Sequence, residues 1–176
     1  MTKQELTECI GAYGRDIYSF CRHLTGSAQE AEELYQDTWL KVVELIENID
    51  SMGNVKSYCL SVALQIWRNK KRKFAWRRRI AGTQDYLDEE GQEYIADEGP
   101  TSEEQILQKE QDALVKKAVN ELPEKMRIVV LLYYMEDLSI AQIAKAVKVP
   151  EGTVKSRLHQ ARMLLKKKLE GVLNEE

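Results

Sequence analysis

Ser139-Ile140-Ala141-Gln142-Ile143-Ala144-Lys145-Ala146-Val147-Lys148-Val149-Pro150-Glu151-Gly152-Thr153-Val154-Lys155-Ser156-Arg157-Leu158 is the stretch that decides the fold of this chain. Ser139 with Gln142 three residues on makes a capping box, which opens a short helix from Ile140 to Val147. Pro150 has the fixed φ suited to the first turn of a second helix. The apolar spacing predicts that helix from Glu151 to about Val172. Two helices this close in sequence pack steeply across a short turn. Ala144 is the small residue such a crossing needs, and Ile143, Val147, Val149, Val154 and Leu158 are the apolar anchors. Lys148 sits in the turn where glycine is often found. It is predicted to adopt a left-handed backbone at roughly 1 kcal/mol.

The second helix has two unlike faces. Val154, Leu158, Ala161 and Leu165 fall in one narrow stripe that faces a core. Gly152, Ser156, His159, Gln160 and Met163 lie opposite, with Lys155 beside them and Arg157 and Arg162 on the flanks. No acid occurs between Thr153 and Leu169. A recognition helix in a major groove would present Lys155, Ser156 and His159 to base edges and its flanking arginines to phosphates. A plain helical hairpin with a solvated basic face has the same spacing; the unbroken positive charge favours DNA.

Upstream, the pattern stays helical. Thr2 with Glu5 and Ser27 with Glu30 are two further capping boxes. The first opens a helix carrying Leu6, Ile10, Tyr13, Ile17, Phe20 and Leu24, and Gly26 ends it. The second opens a helix carrying Ala31, Leu34, Tyr35, Thr38, Trp39, Val42 and Ile46. Gly53 breaks the pattern. A third helix from near Asn54 carries Tyr58, Val62, Ala63, Ile66 and Trp67, then runs into the basic stretch Arg68 to Arg79. Thr101 with Glu104 is another box, opening a helix through Ile106, Leu107, Leu114, Val115, Ala118 and Leu122 that stops at Pro123. A compact apolar helix from Ile128 to Tyr134 follows. The expected fold is therefore all-α: two small helical domains joined by a flexible acidic linker, the C-terminal domain holding the helix-turn-helix.

Charge is sorted along the chain. Residues 1–50 carry four basic and ten acidic side chains, and residues 51–81 carry nine basic and none acidic. Residues 82–112 carry one basic and eleven acidic, and residues 113–176 twelve basic and eight acidic. The formal net charge of −3 hides two basic modules around an acidic spacer, and phosphate binding needs local positive charge. The spacer is expected to be solvated, or to mimic nucleic acid and shield a basic groove.

The first basic run, Trp67-Arg68-Asn69-Lys70-Lys71-Arg72-Lys73-Phe74-Ala75-Trp76-Arg77-Arg78-Arg79, interleaves aromatics with cations. Cations bind phosphate, and rings or guanidinium planes stack on unpaired bases. That suits opened DNA better than a duplex. Trp67 is expected in the core, next to Ile66; Trp76 fits either core or stacking.

Composition removes other classes. In 176 residues, 43% are hydrophobic and 31% charged, which fits a globular, soluble chain. Nine glycines and three prolines are too few for a many-turned β fold. No run approaches the ~20 apolar residues of a membrane span. Met1-Thr2-Lys3-Gln4-Glu5 has no apolar stretch behind it, so no secretory signal is expected and the cytoplasm is the expected compartment. Cys9, Cys21 and Cys59 have no CxxC spacing and read as reduced packing residues, so no metal or cofactor is expected. No nucleophile triad or phosphate-cradling glycine loop is present, and His23 and His159 are far apart, so catalytic residues are expected to be absent. A stand-alone helix-turn-helix regulator remains the alternative to a protein that works with polymerase.

With both modules described, the chain resembles the extracytoplasmic-function (ECF) sigma factors of RNA polymerase, in the sigma-70 family. Gly26-Ser27-Ala28-Gln29-Glu30-Ala31-Glu32-Glu33-Leu34-Tyr35-Gln36-Asp37-Thr38-Trp39-Leu40-Lys41 is similar to the stretch that binds the polymerase clamp. Lys56-Ser57-Tyr58-Cys59-Leu60-Ser61-Val62-Ala63 and the basic run resemble the −10 recognition and melting helix. Leu122-Pro123-Glu124-Lys125-Met126-Arg127 and Gly152-Thr153-Val154-Lys155-Ser156-Arg157-Leu158-His159-Gln160-Ala161-Arg162 resemble the −35-binding domain. The chain departs from many members where it has Leu64-Gln65-Ile66-Trp67-Arg68-Asn69, since they carry Arg-Asn followed by Ile-Asp.

The resemblance implies roles. Residues 1–81 would form sigma region 2, residues 82–112 the acidic linker and the lead-in to the next helix, and residues 113–176 sigma region 4. Glu32, Glu33, Gln36 and Asp37 would face the clamp of the largest polymerase subunit, with Leu34 or Trp39 packing beneath. Asn69, Arg72, Lys73, Trp76 and Arg77 would lie at the opened −10 element. Thr153, Lys155, Ser156, Arg157, His159 and Arg162 would hold the −35 element. The implied partners are core RNA polymerase, promoter DNA and a sequestering anti-sigma factor, usually at the membrane, with no insertion of this chain itself.

Overall fold

Side-chain caps start the helices of the first half of the chain in the computed structural model, which describes residues 2–48, 54–80 and 103–173. Thr2 Oγ1 accepts the Glu5 N–H at 3.2 Å, and the Glu5 carboxylate accepts the Thr2 N–H at 2.6 Å. This closed box opens α1, Lys3–Leu24. The Glu5 carboxyl is held below its usual range, first by that backbone N–H. Ser27 Oγ accepts the Glu30 N–H at 3.2 Å and opens α2, Ala28–Glu44. Its return bond departs from the expected box: the Glu30 carboxylate accepts from Gly26, at 3.3 Å, rather than from Ser27. Asn54 Oδ1 accepts the Ser57 N–H at 2.8 Å, and α3 runs unbroken from Val55 to Ile80. Helix α2 stops at Glu44, short of the predicted Ile46, which lies in a 3-10 turn, Ile46–Asn48.

The chain divides into two compact units, Met1–Tyr94 and Ile95–Glu176. Gly53, the acidic stretch 82–100 and Thr101 lie outside the described residues. All described regular structure is helical.

In the first unit α1, α2 and α3 pack on one another. Ile17, Phe20 and Leu24 of α1, Ala31, Leu34 and Val42 of α2, and Leu60, Ala63 and Leu64 of α3 fill the core. The one buried hydroxyl on α2, Thr38, donates to the Leu34 carbonyl at 2.7 Å and so carries no desolvation penalty. Gly14 gives close approach where α1 meets α2: a Cβ there would stand 3.0 Å from the Tyr35 hydroxyl, which would have to give way by a few tenths of an ångström. Tyr35 stacks edge-on with Tyr18 and Trp39, at centroid separations of 5.6 and 6.2 Å.

The second unit contains α4 (Glu103–Asn120), α5 (Glu124–Val130), α6 (Ile140–Val147) and α7 (Glu151–Leu173). Helix α5 continues as a π turn over Leu131–Met135, wider than an α turn. Its signature is the Glu136 N–H donating to the Leu131 carbonyl at 3.2 Å. The Ser139–Gln142 box closes in both directions, at 3.2 and 2.8 Å. Lys148 is left-handed, φ 58° and ψ 52°, and both its N–H and that of Val149 donate to the Ala144 carbonyl. Asp137 is a second left-handed residue, φ 53°. Ile128, Val129, Leu132, Ile143, Val147, Val154, Leu158 and Ala161 form the core, while Val149 and Leu165 are only half-buried.

All three cysteines are free thiols. Cys21 and Cys59 are buried and Cys9 is half-buried. Burial pushes the Cys59 thiol up to about 12, with Cys9 adding to the effect. An acid raised in the folded state contributes stability that is full below about pH 9 and lost as pH rises towards 12. Since the thiolate is the reactive form, at pH 8 Cys9 should react first with a disulfide reagent, and Cys21 and Cys59 only on unfolding. Thiol titration with peptide mapping reads this; rapid native labelling of Cys59 would contradict the packing.

Candidate functional site

Helix α7 is anchored by one stripe and open along the other. Val154, Leu158 and Ala161 are buried, while Gly152, Lys155, Ser156, His159, Gln160 and Met163 are exposed. Thr153 and Arg157 are half-buried at the edges. Ser156 donates its hydroxyl to the Thr153 carbonyl at 3.0 Å, which fixes its rotamer on the open face. Arg162, on the flank, donates from Nε to the Tyr134 hydroxyl at 2.7 Å. Of the six expected −35 residues, Lys155, Ser156, His159 and Arg162 are exposed along α7, while Thr153 and Arg157 share the half-buried edge on the other side.

Helix α3 changes character along its length. Its last buried residue is Trp67, at 7% exposure. From Lys70 to Arg77 every side chain is exposed. The 13 residues from Arg68 to Ile80 therefore extend about 20 Å past the core at 1.5 Å per residue. Lys and Arg are good helix formers, and Arg77, Arg78 and Arg79 in the last turn complement the helix dipole. Trp76 and Phe74 are each 63% exposed, so Trp76 belongs to the surface and not the core. Lys71 Nζ lies 4.7 Å from the Trp67 ring centroid, and the Arg78 guanidinium 5.9 Å from that of Phe74. Asn69 Oδ1 accepts from Arg72 at 2.5 Å and from Gln65 at 3.2 Å.

On α2, Glu32, Glu33 and Gln36 are exposed and Asp37 is half-buried. Leu34, 1% exposed, packs beneath this face in the core, as does Trp39. Leu40 and Val43 are exposed further along the same helix. The Asp37 carboxylate lies 2.6 Å from Lys70 Nζ of α3. An exposed pair of this kind contributes ~0.2–1 kcal/mol, but it joins the acidic face to the foot of the basic rod.

Comparison with known proteins bears on both units. The family model for Sigma-70 region 2 matches residues 9–78, and that for Sigma-70, region 4 matches residues 112–165. The ECF RNA polymerase sigma factor SigW of Bacillus subtilis is 27% identical over 166 residues, covering 92% of this chain and 87% of that protein. The chain belongs to the sigma-70 family, among its ECF sigma factors. SigX of the same bacterium is 26% identical over 167 residues, covering 93% of this chain and 82% of its own. The fold is also that of the sigma factor RpoE solved in complex with the anti-sigma factor NepR from Bartonella quintana. There the TM-score is 0.70 at 23% identity, over 96% of both chains. CnrH, solved with the cytosolic domain of CnrY, gives 0.67 at 14% identity, covering 97% of this chain and 90% of that one.

As a sigma factor the protein directs promoter-specific transcription initiation, and its region 4 binds DNA. Sigma factors are regulators. Among the described residues no group of three or more potential metal-ligating side chains comes together, and no helix is long and apolar enough to cross a membrane.

Sequence reasoning missed three features of this sigma factor. The Asp37–Lys70 pair joins residues on different helices, which periodicity within one helix does not connect. The exposure of Leu40 and Val43 depends on where α3 and α1 leave α2 uncovered. Tyr133 and Tyr134 sit in a run read only as a compact apolar helix, yet Tyr134 is 54% exposed beside Arg162.

Exposure separates the two tryptophans of α3. Trp67→Ala should lower unfolding free energy by about 3–5 kcal/mol, as expected for a large aromatic removed from a core. Trp76→Ala should change it by no more than about 0.5 kcal/mol. Denaturant unfolding of the full chain tests this, and equal losses at the two positions would refute the division of α3 at Trp67.

Proposed function

We propose a division of labour among the three faces of this sigma factor. Residues 1–81 dock on the clamp of the largest core polymerase subunit through Glu32, Glu33, Gln36 and Asp37, with Leu34 supporting the face from below. Leu40 and Val43 extend that contact with apolar surface. The outer half of α3 engages the opened −10 element through Asn69, Arg72, Lys73, Trp76 and Arg77. Residues 113–176 hold the −35 element, with Lys155, Ser156 and His159 at base edges and Arg157, Arg162 and the Thr153 end of α7 at the backbone. Residues 82–112 span between the two. The protein carries no catalysis of its own and works in the cytoplasm with core polymerase and promoter DNA.

The observation that carries this reading is the exposure of an aromatic side chain, Trp76, on a helix half dominated by cations. Cations alone bind duplex and single strand alike; an exposed ring has a base to stack on only where the strands are apart. A stand-alone regulator would need the second unit only, and gives the first none of its work. The structurally similar RpoE was solved with the anti-sigma factor NepR, and CnrH with the cytosolic domain of CnrY. By that likeness we propose an anti-sigma factor for this chain too, at the membrane or in solution.

The experiment is core-polymerase capture followed by run-off transcription. Wild-type protein should co-purify with core enzyme and yield a promoter-dependent transcript that core alone does not. Glu32→Lys/Glu33→Lys should remain folded by circular dichroism yet lose capture by more than about 100-fold, because like charges across an interface cost several kcal/mol. Undiminished capture by the folded double variant would remove the acidic face of α2 from the interface.

A further inference from the structure

Arg162, on the flank of α7, has its position fixed by a residue from outside that helix. Its Nε donates to the hydroxyl of Tyr134, 28 residues away in sequence, at 2.7 Å. Its guanidinium carbon lies 5.7 Å from the Tyr134 ring centroid and 5.9 Å from that of Tyr133. The two rings meet edge-on, 4.9 Å apart with planes at 78°. Neighbours in a regular α-helix point in different directions. Here both tyrosines lie in the π turn Leu131–Met135, whose wider winding reduces the angle between successive side chains and lets both reach one guanidinium.

The chemistry of the partner matters. A carboxylate in this place would orient the arginine but cancel its charge. A phenol, neutral at pH 7, orients it and leaves the full positive charge available. The hydrogen bond to Tyr134 is the foremost reason the guanidinium is held above its ordinary range, with a lesser one from Tyr133. Arginine has five N–H donors in a rigid fork, so most remain for another acceptor after these bonds are made. Arg162 is seven residues from Lys155 and three from His159, which places it along the same edge of the exposed face.

We propose that Tyr134 is a positioning residue for promoter DNA: it holds Arg162 so that the terminal N–H groups of the guanidinium meet a backbone phosphate at the −35 element. Tyr133 lines the other side of the clasp. The proposal rests on the reading of α7 as the recognition helix. Its effect is independent of sequence, because a phosphate contact fixes register without reading bases.

Holoenzyme assembled from core polymerase and the full chain, bound to promoter DNA over a series of salt concentrations, tests this. Arg162→Ala should weaken binding to different promoters alike and lower the log–log salt slope by about 0.9, one phosphate's worth. Tyr134→Phe keeps the ring and loses only the hydroxyl. It should weaken binding about three- to tenfold, the scale of leaving one long side chain to be ordered on binding. It should leave the salt slope unchanged, since the charge still reaches the phosphate, and leave thermal stability unchanged. In the Arg162→Ala background, Tyr134→Phe should add nothing. If Arg162→Ala weakens binding but Tyr134→Phe is silent, or if the two losses add, the positioning role is wrong while the recognition helix stands. If Tyr134→Phe binds more tightly, the tyrosine withholds the arginine and the proposal is overturned. If Arg162→Ala leaves affinity and slope intact, the flank of α7 does not face DNA, and the proposal falls with the reading beneath it.

Discussion

Burial of Trp67 is the interaction on which the first unit's function depends. A helix can be held by packing only along the stripe it buries, and for α3 that stripe ends at Trp67. Everything before it fixes α3 against α1 and α2. Everything after it has no core to join. The residues there are strong helix formers whose last-turn cations suit the helix C-terminus, so the rod persists without packing. One helix thereby has two unlike halves, one packed into the core and one open. The same tryptophan carries Lys71 against its ring at 4.7 Å, so even the boundary residue has begun to organise cations.

The second unit meets the same demand differently. Helix α7 is anchored by Val154, Leu158 and Ala161, and its opposite side is open over the same turns. Core and recognition therefore share one segment, and the precision of the open face is inherited from the packing behind it. Capping makes that packing possible. The closed Ser139–Gln142 box starts α6 and the left-handed Lys148 ends it, so the chain turns within a few residues. The strain at Lys148, of order 1–2 kcal/mol for a residue with a side chain, is tolerated because two backbone N–H groups converge on the Ala144 carbonyl. Beyond Ala161 the core ends. There Lys168 of α7 pairs with Glu121 just past α4, and the Tyr133–Tyr134 clasp takes Arg162.

Helix periodicity and capping residues made most of this architecture legible in the sequence. Each expected helix has a counterpart, although α5 starts at Glu124 rather than Ile128 and gives way to the π turn at Leu131, and the caps at Thr2, Ser27 and Ser139 act where their spacing said they would. The buried stripe of α7 was legible because a recognition helix must divide into two faces. On α3 the expected face is turned: Tyr58, Val62 and Ile66 are only half-buried, while Cys59, Leu60 and Leu64 join Ala63 and Trp67 in the core. The other failures have one cause. Each concerns where one element ends or meets another, and local pattern does not carry that. Ile46 has the right period for α2, but the helix has already ended. Leu165 has the right period for the α7 stripe but only half-buries, because the core is shorter than the helix. Trp76 fitted core or surface equally until the limit of the core was known. Tyr134 was hidden in an apolar run because residue type alone does not say which side of a helix meets the core.

On the function proposed above, the outer half of α3 acts on separated strands rather than on duplex alone. Open-complex formation by holoenzyme on a duplex promoter and on the same promoter with a pre-opened −10 bubble tests it most directly, with wild type beside Trp76→Ala. A stacking contact of about 1–3 kcal/mol predicts a loss of roughly 5- to 150-fold on duplex that the pre-opened template partly restores. Equal losses on both templates, or no loss on either, would contradict it.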